Sequence, residues 1–163
     1  MNAKSGDMIV NLTTLPECPR VADGVRIHRP FVGDKERILY FIRENFHEGW
    51  TYEAERAILQ LPSTCLIAVE GDRLLGFSCY DATAKGFFGP IGVAEAARGK
   101  NIGAALLVRT LEAMRDAGYG YAIIGWVGEA APFYRNVVGA DFLPNSGPEN
   151  SVYSAMLSMG AKD

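Results

Sequence analysis

A short segment rich in glycine and basic residues, Arg98–Gly103, stands where the sequence passes from a predicted strand into a predicted helix. The first turn of a helix carries backbone N–H groups without partners, and the helix dipole makes that end partly positive. Small residues let an anion approach those amides, and Arg98 and Lys100 add positive charge. A phosphate or diphosphate is the expected ligand. The alternative is a turn whose glycines serve packing only.

Two common phosphate-binding loops are excluded by the spacing. The sequence contains neither GxxxxGK[ST] nor a GxGxxG that opens a strand-helix-strand unit, so neither a Walker A loop nor a dinucleotide fingerprint is present. Asn101 belongs to the residue types that tolerate a left-handed backbone. The segment therefore predicts an anion site of another kind.

The elements on either side of this segment must position it. Helical periodicity runs from the segment to about Ala117, and the strand before it is Phe87–Val93. Gly89, Pro90 and Gly92 interrupt that strand, which indicates a bulge or a closely approaching ligand.

Periodicity and turn residues predict the remaining elements of a mixed sheet with helices on both faces, which is an α/β (α+β) class. Residues 1–24 are expected to form an N-terminal arm or lead-in, and residues 25–163 a single domain. The other predicted strands are Val25–Arg29, Cys65–Glu70, Leu74–Asp81, Tyr121–Val127 and Ser151–Leu157, and the other predicted helices are Asp34–Phe46, Tyr52–Leu61 and Pro132–Val138.

Composition limits the function classes. The chain has 163 residues, 48% of them hydrophobic, and a formal net charge of −3, which suits a globular protein and disfavours nucleic-acid binding. No apolar stretch is long enough to span a membrane. Its three widely spaced cysteines and two histidines form no zinc pattern, and free thiols favour a reducing, cytoplasmic compartment. Cys65 and Cys79 lie in apolar runs and are expected to be core residues.

Residues Val93–Leu107 resemble the acetyl-CoA signature of the GNAT (GCN5-related) N-acetyltransferase superfamily, in its bacterial small-molecule type. That signature is a strand ending in Val, then [QR]-x-x-G-x-[GA], then a helix. Arg98 matches the first position and Gly103 the last, while Asn101 stands where the family usually has Gly.

The resemblance implies a mixed, mostly antiparallel central sheet whose fourth and fifth strands, here Phe87–Val93 and Tyr121–Val127, splay apart. It implies acetyl-CoA as co-substrate and no metal. Ile91 and Val93 would make main-chain contacts with the pantetheine arm. The residues implied to bind acetyl-CoA are Ile91, Val93, Arg98, Gly99, Lys100, Asn101, Gly103 and Ala104.

A second match lies downstream, where Gly128–Tyr134 resembles the family segment A-x-x-[FL]-Y. Ala130, Phe133 and Tyr134 fall on its positions. The resemblance implies that Tyr134 protonates the departing thiolate. A packing tyrosine is the alternative.

Two further catalytic functions are expected. The resemblance makes the Ile91 N–H a candidate donor to the thioester carbonyl, and Pro90, which has no N–H, cannot share this function. Direct transfer also needs a proton acceptor, for which Glu48, Asp81 and Glu129 are candidates; solvated surface acids are the alternative. Residues expected to form the acceptor pocket are Glu48, Trp50, Asp81 and Trp126, with Tyr52 and Tyr80 as further aromatic candidates.

The predicted function is transfer of an acetyl group from acetyl-CoA to a primary amine of a small molecule, by direct transfer. Polyamines, amino sugars, amino acids, antibiotics and protein N-termini all stay open as acceptors. Two alternatives remain, a non-catalytic module that binds acyl-CoA for regulation and an acyltransferase for a longer acyl group. A homodimer is compatible with this fold.

Overall fold

A computed structural model describes residues 4–157 as one seven-stranded sheet with helices on both faces. The strands follow the order β2-β3-β4-β5-β6-β1-β7, and every neighbouring pair is antiparallel except β5 and β6. The predicted fold class is confirmed. The strands are β1 Gly6–Asn11, β2 Val25–His28, β3 Cys65–Glu70, β4 Arg73–Tyr80, β5 Phe87–Val93, β6 Tyr121–Val127 and β7 Asp141–Phe142, and the α-helices are α1 Lys35–Asn45, α2 Trp50–Ile58, α3 Ile102–Asp116 and α4 Ala131–Val138.

Strands β5 and β6 are parallel because α3 connects them as a crossover. They pair only where they begin, at Phe87 with Ile123 and at Phe88 with Ile124. Beyond Phe88 no further pairs are made, so the two strands part. This is the predicted splay.

Two apolar layers hold the sheet between the helices. On one face, α3 buries Leu106, Leu107 and Leu111 against the sheet. On the other face, α1 and α2 pack against β3 and β4 around the fully buried Phe77. The splayed strands are therefore fixed by a core on each side of the sheet.

The prediction of an N-terminal arm or lead-in over residues 1–24 is wrong for Gly6–Asn11, which form β1. This strand lies inside the sheet, antiparallel to both β6 and β7. Met8, Val10 and Leu12 are fully buried, and their spacing of two residues is the strand period. The strand signal was short, and it stood ahead of a proline-containing stretch that is typical of loops.

The prediction of a final strand over Ser151–Leu157 is also wrong. Short 3₁₀ turns form at Pro148–Asn150 and Val152–Ala155 instead. The edge of β6 that such a strand would need is already paired with β1. The segment therefore lies outside the sheet, and its Tyr153 lines the gap between β5 and β6.

Candidate active site

The parting of β5 and β6 opens a cleft of about 1010 Å³. Its walls come from both strands, from the loop that leads into α3, from the first turns of α2 and α4, and from Tyr153. The cleft is long and mainly apolar, as expected for a ligand site that needs few polar contacts.

One end of the cleft is formed by the start of α3. Asn101 has φ 63° and ψ 9°, the left-handed conformation that its residue type tolerates, and it immediately precedes the helix. The Ala105 N–H donates to the Asn101 carbonyl at 2.9 Å, which is the first bond of the helical ladder. The amides of Ile102, Gly103 and Ala104 precede that bond, so they have no acceptor within the helix.

The side chains at this end agree with the sequence prediction in part. Arg98, Gly99, Asn101, Gly103 and Ala104 line the cleft. Arg98 donates from Nε to the Val93 carbonyl at 3.2 Å, which holds its guanidinium across the loop. Lys100, also a predicted ligand, is exposed and is not among the lining residues.

The backbone of β5 turns free amides toward the cleft. The Ala94 N–H donates to the Leu75 carbonyl of β4 at 2.8 Å, and bonded and non-bonded pairs alternate along an antiparallel ladder. Ile91 and Val93 therefore fall in non-bonded pairs with β4, and their N–H groups point to the β6 side, where the strands have parted. This geometry supports their predicted main-chain contacts, and Pro90 between Gly89 and Ile91 has no N–H.

Tyr134 lies in the first turn of α4, which begins at Ala131 with Pro132 next to it. Its side chain lines the cleft with 8% of the residue exposed, and its ring packs on Phe88 and Phe133 with centroid distances of 6.3 and 5.2 Å. Burial raises the pKa of Tyr134 to about 12. The hydroxyl therefore holds its proton at neutral pH, as a general acid must.

The two predicted tryptophans both reach the cleft. Trp50 begins α2 and packs on Phe46, with ring centroids 5.6 Å apart. Trp126 has φ 46° at a bulge in the pairing of β6 with β1. Its backbone N–H donates to the buried Asp7 carboxylate at 2.9 Å. That carboxylate also accepts from the Ser151 hydroxyl, so it links the bulge to the segment that carries Tyr153.

None of the three predicted bases lines the cleft. Glu48 is exposed and forms an ion pair with Arg43 at 3.8 Å. Its carbonyl accepts the Thr51 N–H and hydroxyl at the start of α2, and this turn leaves the carboxylate on the outside. Glu129 is exposed as well.

Asp81 has a structural position instead. Its carboxylate accepts the Tyr119 hydroxyl at 2.8 and 2.9 Å and the Gly86 N–H at 2.7 Å, which closes the loop before β5. The aromatic candidates Tyr52 and Tyr80 do not line the cleft either, because Tyr52 is exposed and Tyr80 is buried in the core.

Sequence reasoning missed the acidic residue that does line the cleft. The Glu53 carboxylate accepts a hydrogen bond from the Thr83 hydroxyl at 2.6 Å. Among the described residues that line the cleft, Glu53 is the only acidic one and Arg98 the only positively charged one. The available signal was its spacing: Glu53 follows Trp50 by three residues, so both lie on one face of α2. The sequence does not indicate Tyr153, because the pattern of its segment predicts a strand.

The cysteines pack as predicted. Cys65 and Cys79 are fully buried, are opposite each other in the β3–β4 register, and are free thiols. Burial, with a smaller effect from Cys65, raises the pKa of the Cys79 thiol well above its usual value. Within residues 4–157, no group of three or more His, Cys, Asp or Glu side chains is arranged to hold a metal ion. No helix in that range is both long and apolar enough to cross a membrane.

The gap between parallel β5 and β6, with the start of α3 at one end, is the arrangement that the family resemblance implies. The chain belongs to the acetyltransferase (GNAT) family, whose family model matches residues 34–139, more than half of the chain. This confirms the resemblance carried by Val93–Leu107. The family is described as one of acetyltransferases.

Solved structures agree on the fold. A GCN5-related N-acetyltransferase from Sphaerobacter thermophilus matches with TM-score 0.68 and 20% identity over 88% of this chain and 50% of that one. A protein of the same description from Kribbella flavida matches with TM-score 0.62 and 15% identity over 84% and 53%. The glucosamine N-acetyltransferase region of a fungal multi-domain β-N-acetylglucosaminidase matches with TM-score 0.67 and 16% identity over 85% and 20%. The chain thus spans about half or less of these proteins, and no curated protein matches it.

Proposed function

We propose that the protein transfers an acetyl group from acetyl-CoA to a primary amine of a small molecule, by direct transfer within the cleft. The observation that supports it is the set of unpaired amides at two points of one apolar cleft. One set lies at the start of α3, and the other lies on β5 at Ile91 and Val93.

The residues of the cleft fit acetyl-CoA as a bound co-substrate. The amides of Ile102, Gly103 and Ala104, with Arg98, would hold the diphosphate, because a helix start offers free N–H groups and partial positive charge. Ile91 and Val93 would pair with the pantetheine arm as an added strand does. When bound, acetyl-CoA supplies the acetyl group as a thioester.

Three groups of this chain would carry the transfer. The Ile91 N–H donates to the carbonyl oxygen of the thioester as negative charge develops on it. The amine nitrogen forms the new C–N bond, the C–S bond breaks, and Tyr134 gives its proton to the departing thiolate. The amine's own proton passes to a base, for which Glu53 is the carboxylate within the described lining.

The proposal is tested by incubating the purified protein with acetyl-CoA and a panel of amines and by measuring thiol release and the mass of each product. Acetylated amine in amounts equal to the released CoA is the expected result. CoA binding without turnover of any amine would favour the alternative, a module that binds acyl-CoA for regulation.

The second alternative, transfer of a longer acyl group, is tested with the same assay. Phe88 is 2% exposed and packs on Tyr134 in the cleft wall, which leaves little freedom to enlarge the space beside the thioester. We expect propionyl-CoA and butyryl-CoA to be poorer donors than acetyl-CoA. A preference for butyryl-CoA would replace the acetyl assignment.

A further inference from the structure

The acidic side chain that lines the cleft is held in a fixed position. Glu53 accepts the Thr83 hydroxyl at 2.6 Å, and Thr83 stands in the loop just before β5. Both residues are half-buried, so the carboxylate is part of the cleft wall rather than a free surface acid.

The two ends of the cleft carry opposite charges. Glu53 and Thr83 lie beside the beginning of β5, whereas Arg98 follows the far end of that strand. A strand of this length spans about 23 Å at roughly 3.3 Å per residue. Positive charge from Arg98 and α3 therefore acts at one end, and the single carboxylate acts at the other.

Aromatic side chains surround the acidic end. Trp50 is one turn before Glu53 on α2, and the ring of Tyr153 packs on Trp126 with centroids 5.2 Å apart. Burial, and then the negative charge of Glu53, raise the pKa of Tyr153 to about 12, so this phenol stays neutral beside the carboxylate. A cation is attracted by a carboxylate and by the faces of such rings.

No basic residue stands among the described lining residues at this end. A carboxylate on the acceptor would therefore find no positive partner there, and it would be repelled by Glu53. The repulsion acts strongly on a substrate whose carboxylate is next to the reacting nitrogen, because both groups then enter the same space.

We propose that Glu53 binds the amino group of the acceptor, and that the acceptors are therefore primary amines without a carboxylate beside the reacting nitrogen. This inference rests on the proposed function and removes the α-amino groups of amino acids from the open acceptors. Thr83 is a positioning residue, since it acts on the acceptor only through Glu53.

The test uses two pairs of substrates that differ only in the carboxylate: phenethylamine and phenylalanine, and tryptamine and tryptophan. With the wild-type chain we expect kcat/KM to be at least about tenfold higher for the amine in at least one pair, and in no pair higher for the amino acid. Equal or better acetylation of the amino acids would overturn the inference.

Variants assign the preference to Glu53. We expect Glu53→Gln to lower kcat/KM for the preferred amine by about tenfold or more and to reduce its preference over the matching amino acid. Thr83→Val should cause a smaller loss, mainly in KM. Glu55→Gln is the matched control, because Glu55 lies on the same helix, pairs with Lys35 at 3.1 Å and does not line the cleft.

Binding gives a readout that does not need turnover. Calorimetric titration of the preferred amine into the CoA-saturated protein should show weaker binding to Glu53→Gln, with CoA affinity and melting temperature unchanged. If Glu53→Gln keeps both the affinity and the preference, the inference fails while the proposed function stands. If the wild-type chain acetylates none of the amines, the inference fails. If the wild-type chain also does not bind CoA, the proposed function is overturned as well.

Discussion

The two ends of the cleft are built in different ways. The α3 end consists mainly of backbone amides, and its positive character comes from a helix start and Arg98. The other end consists of side chains, Glu53, Thr83 and Tyr153, and its charge is negative. Backbone amides suit the diphosphate, a group that every acyl-CoA donor shares. Side chains can differ between proteins that use different acceptors.

The ends also differ in how they are held. The α3 end depends on one continuous segment, in which Asn101 takes a left-handed conformation just before the helix. The acceptor end depends on three segments distant in the chain, one of which is anchored through the Asp7–Ser151 hydrogen bond. Tyr134 lies between the two ends and belongs to neither.

The largest effect is expected at Tyr134, between the two ends of the cleft. Tyr134→Phe should lower kcat by about 100-fold or more, because a positioned general acid contributes roughly 10²–10⁴-fold. CoA affinity and the KM of the amine should change little, since neither end loses a contact. Stopped-flow or steady-state kinetics with calorimetry of CoA binding check this. Unchanged kcat would make Tyr134 a packing residue.

The unfolding free energy at alkaline pH tests whether Tyr134 is buried from solvent. The pKa of Tyr134 is raised to about 12 in the folded state by burial. Its stabilising contribution is therefore fully present below the unfolded pKa of about 10 and is lost as pH rises through the folded value. Between about pH 9 and about pH 12 the wild-type chain should lose about 2 kcal/mol more unfolding free energy than Tyr134→Phe. If the unfolding free energies of the two proteins, measured by denaturation, change equally with pH across that range, Tyr134 is solvated.

A single methyl group is expected to disturb the acceptor end alone. A Cβ at Gly125 would overlap the Tyr153 hydroxyl oxygen, so Gly125→Ala must displace that ring. We expect about a tenfold loss of kcat/KM for the amine, measured by initial rates, with CoA affinity kept. Gly120→Ala is the control, because a Cβ there meets nothing within 4 Å. Loss of CoA affinity in Gly125→Ala would show that the ends are not separable.

The smallest effect is expected from substitutions of Asn101, just before α3. Asn101→Ala places alanine in a left-handed conformation, which costs about 1 kcal/mol or about fivefold in CoA affinity by calorimetry. Asn101→Gly should keep or improve that affinity, and the choice between amine and amino acid should not change in either variant. A shift in acceptor preference would contradict the separation.

The same contrast explains what the sequence could predict. Strands β3 and β6 and the turn into α3 carry local signals, namely apolar runs bounded by turn residues, and they were predicted with the observed bounds or close to them. The family resemblance in Arg98–Gly103 is likewise continuous in the chain. Residues that meet through one local segment can be recognised before the fold is known.

The acceptor end could not be assembled in that way. The sequence around Glu48 and Asp81 indicates an acceptor pocket, but local hydrogen bonds and ion pairs direct both carboxylates elsewhere. Tyr153 reaches the cleft only because β1 pairs with β6 and leaves its segment outside the sheet. Which segment takes a sheet edge is decided by competition between distant strands, and no local pattern reports it.

The most direct test is calorimetric titration of CoA into the wild-type chain, Gly103→Ala and Gly103→Glu. A Cβ at Gly103 would lie 3.6 Å from Val93 and 3.8 Å from Phe133, which is ordinary contact, so both variants should fold and Gly103→Ala should bind CoA much as the wild type does. Gly103→Glu brings a negative charge to the amides at the start of α3 and should weaken binding by about tenfold or more. Equal CoA affinity in Gly103→Glu, or no CoA binding by the wild-type chain at millimolar concentration, would contradict the account.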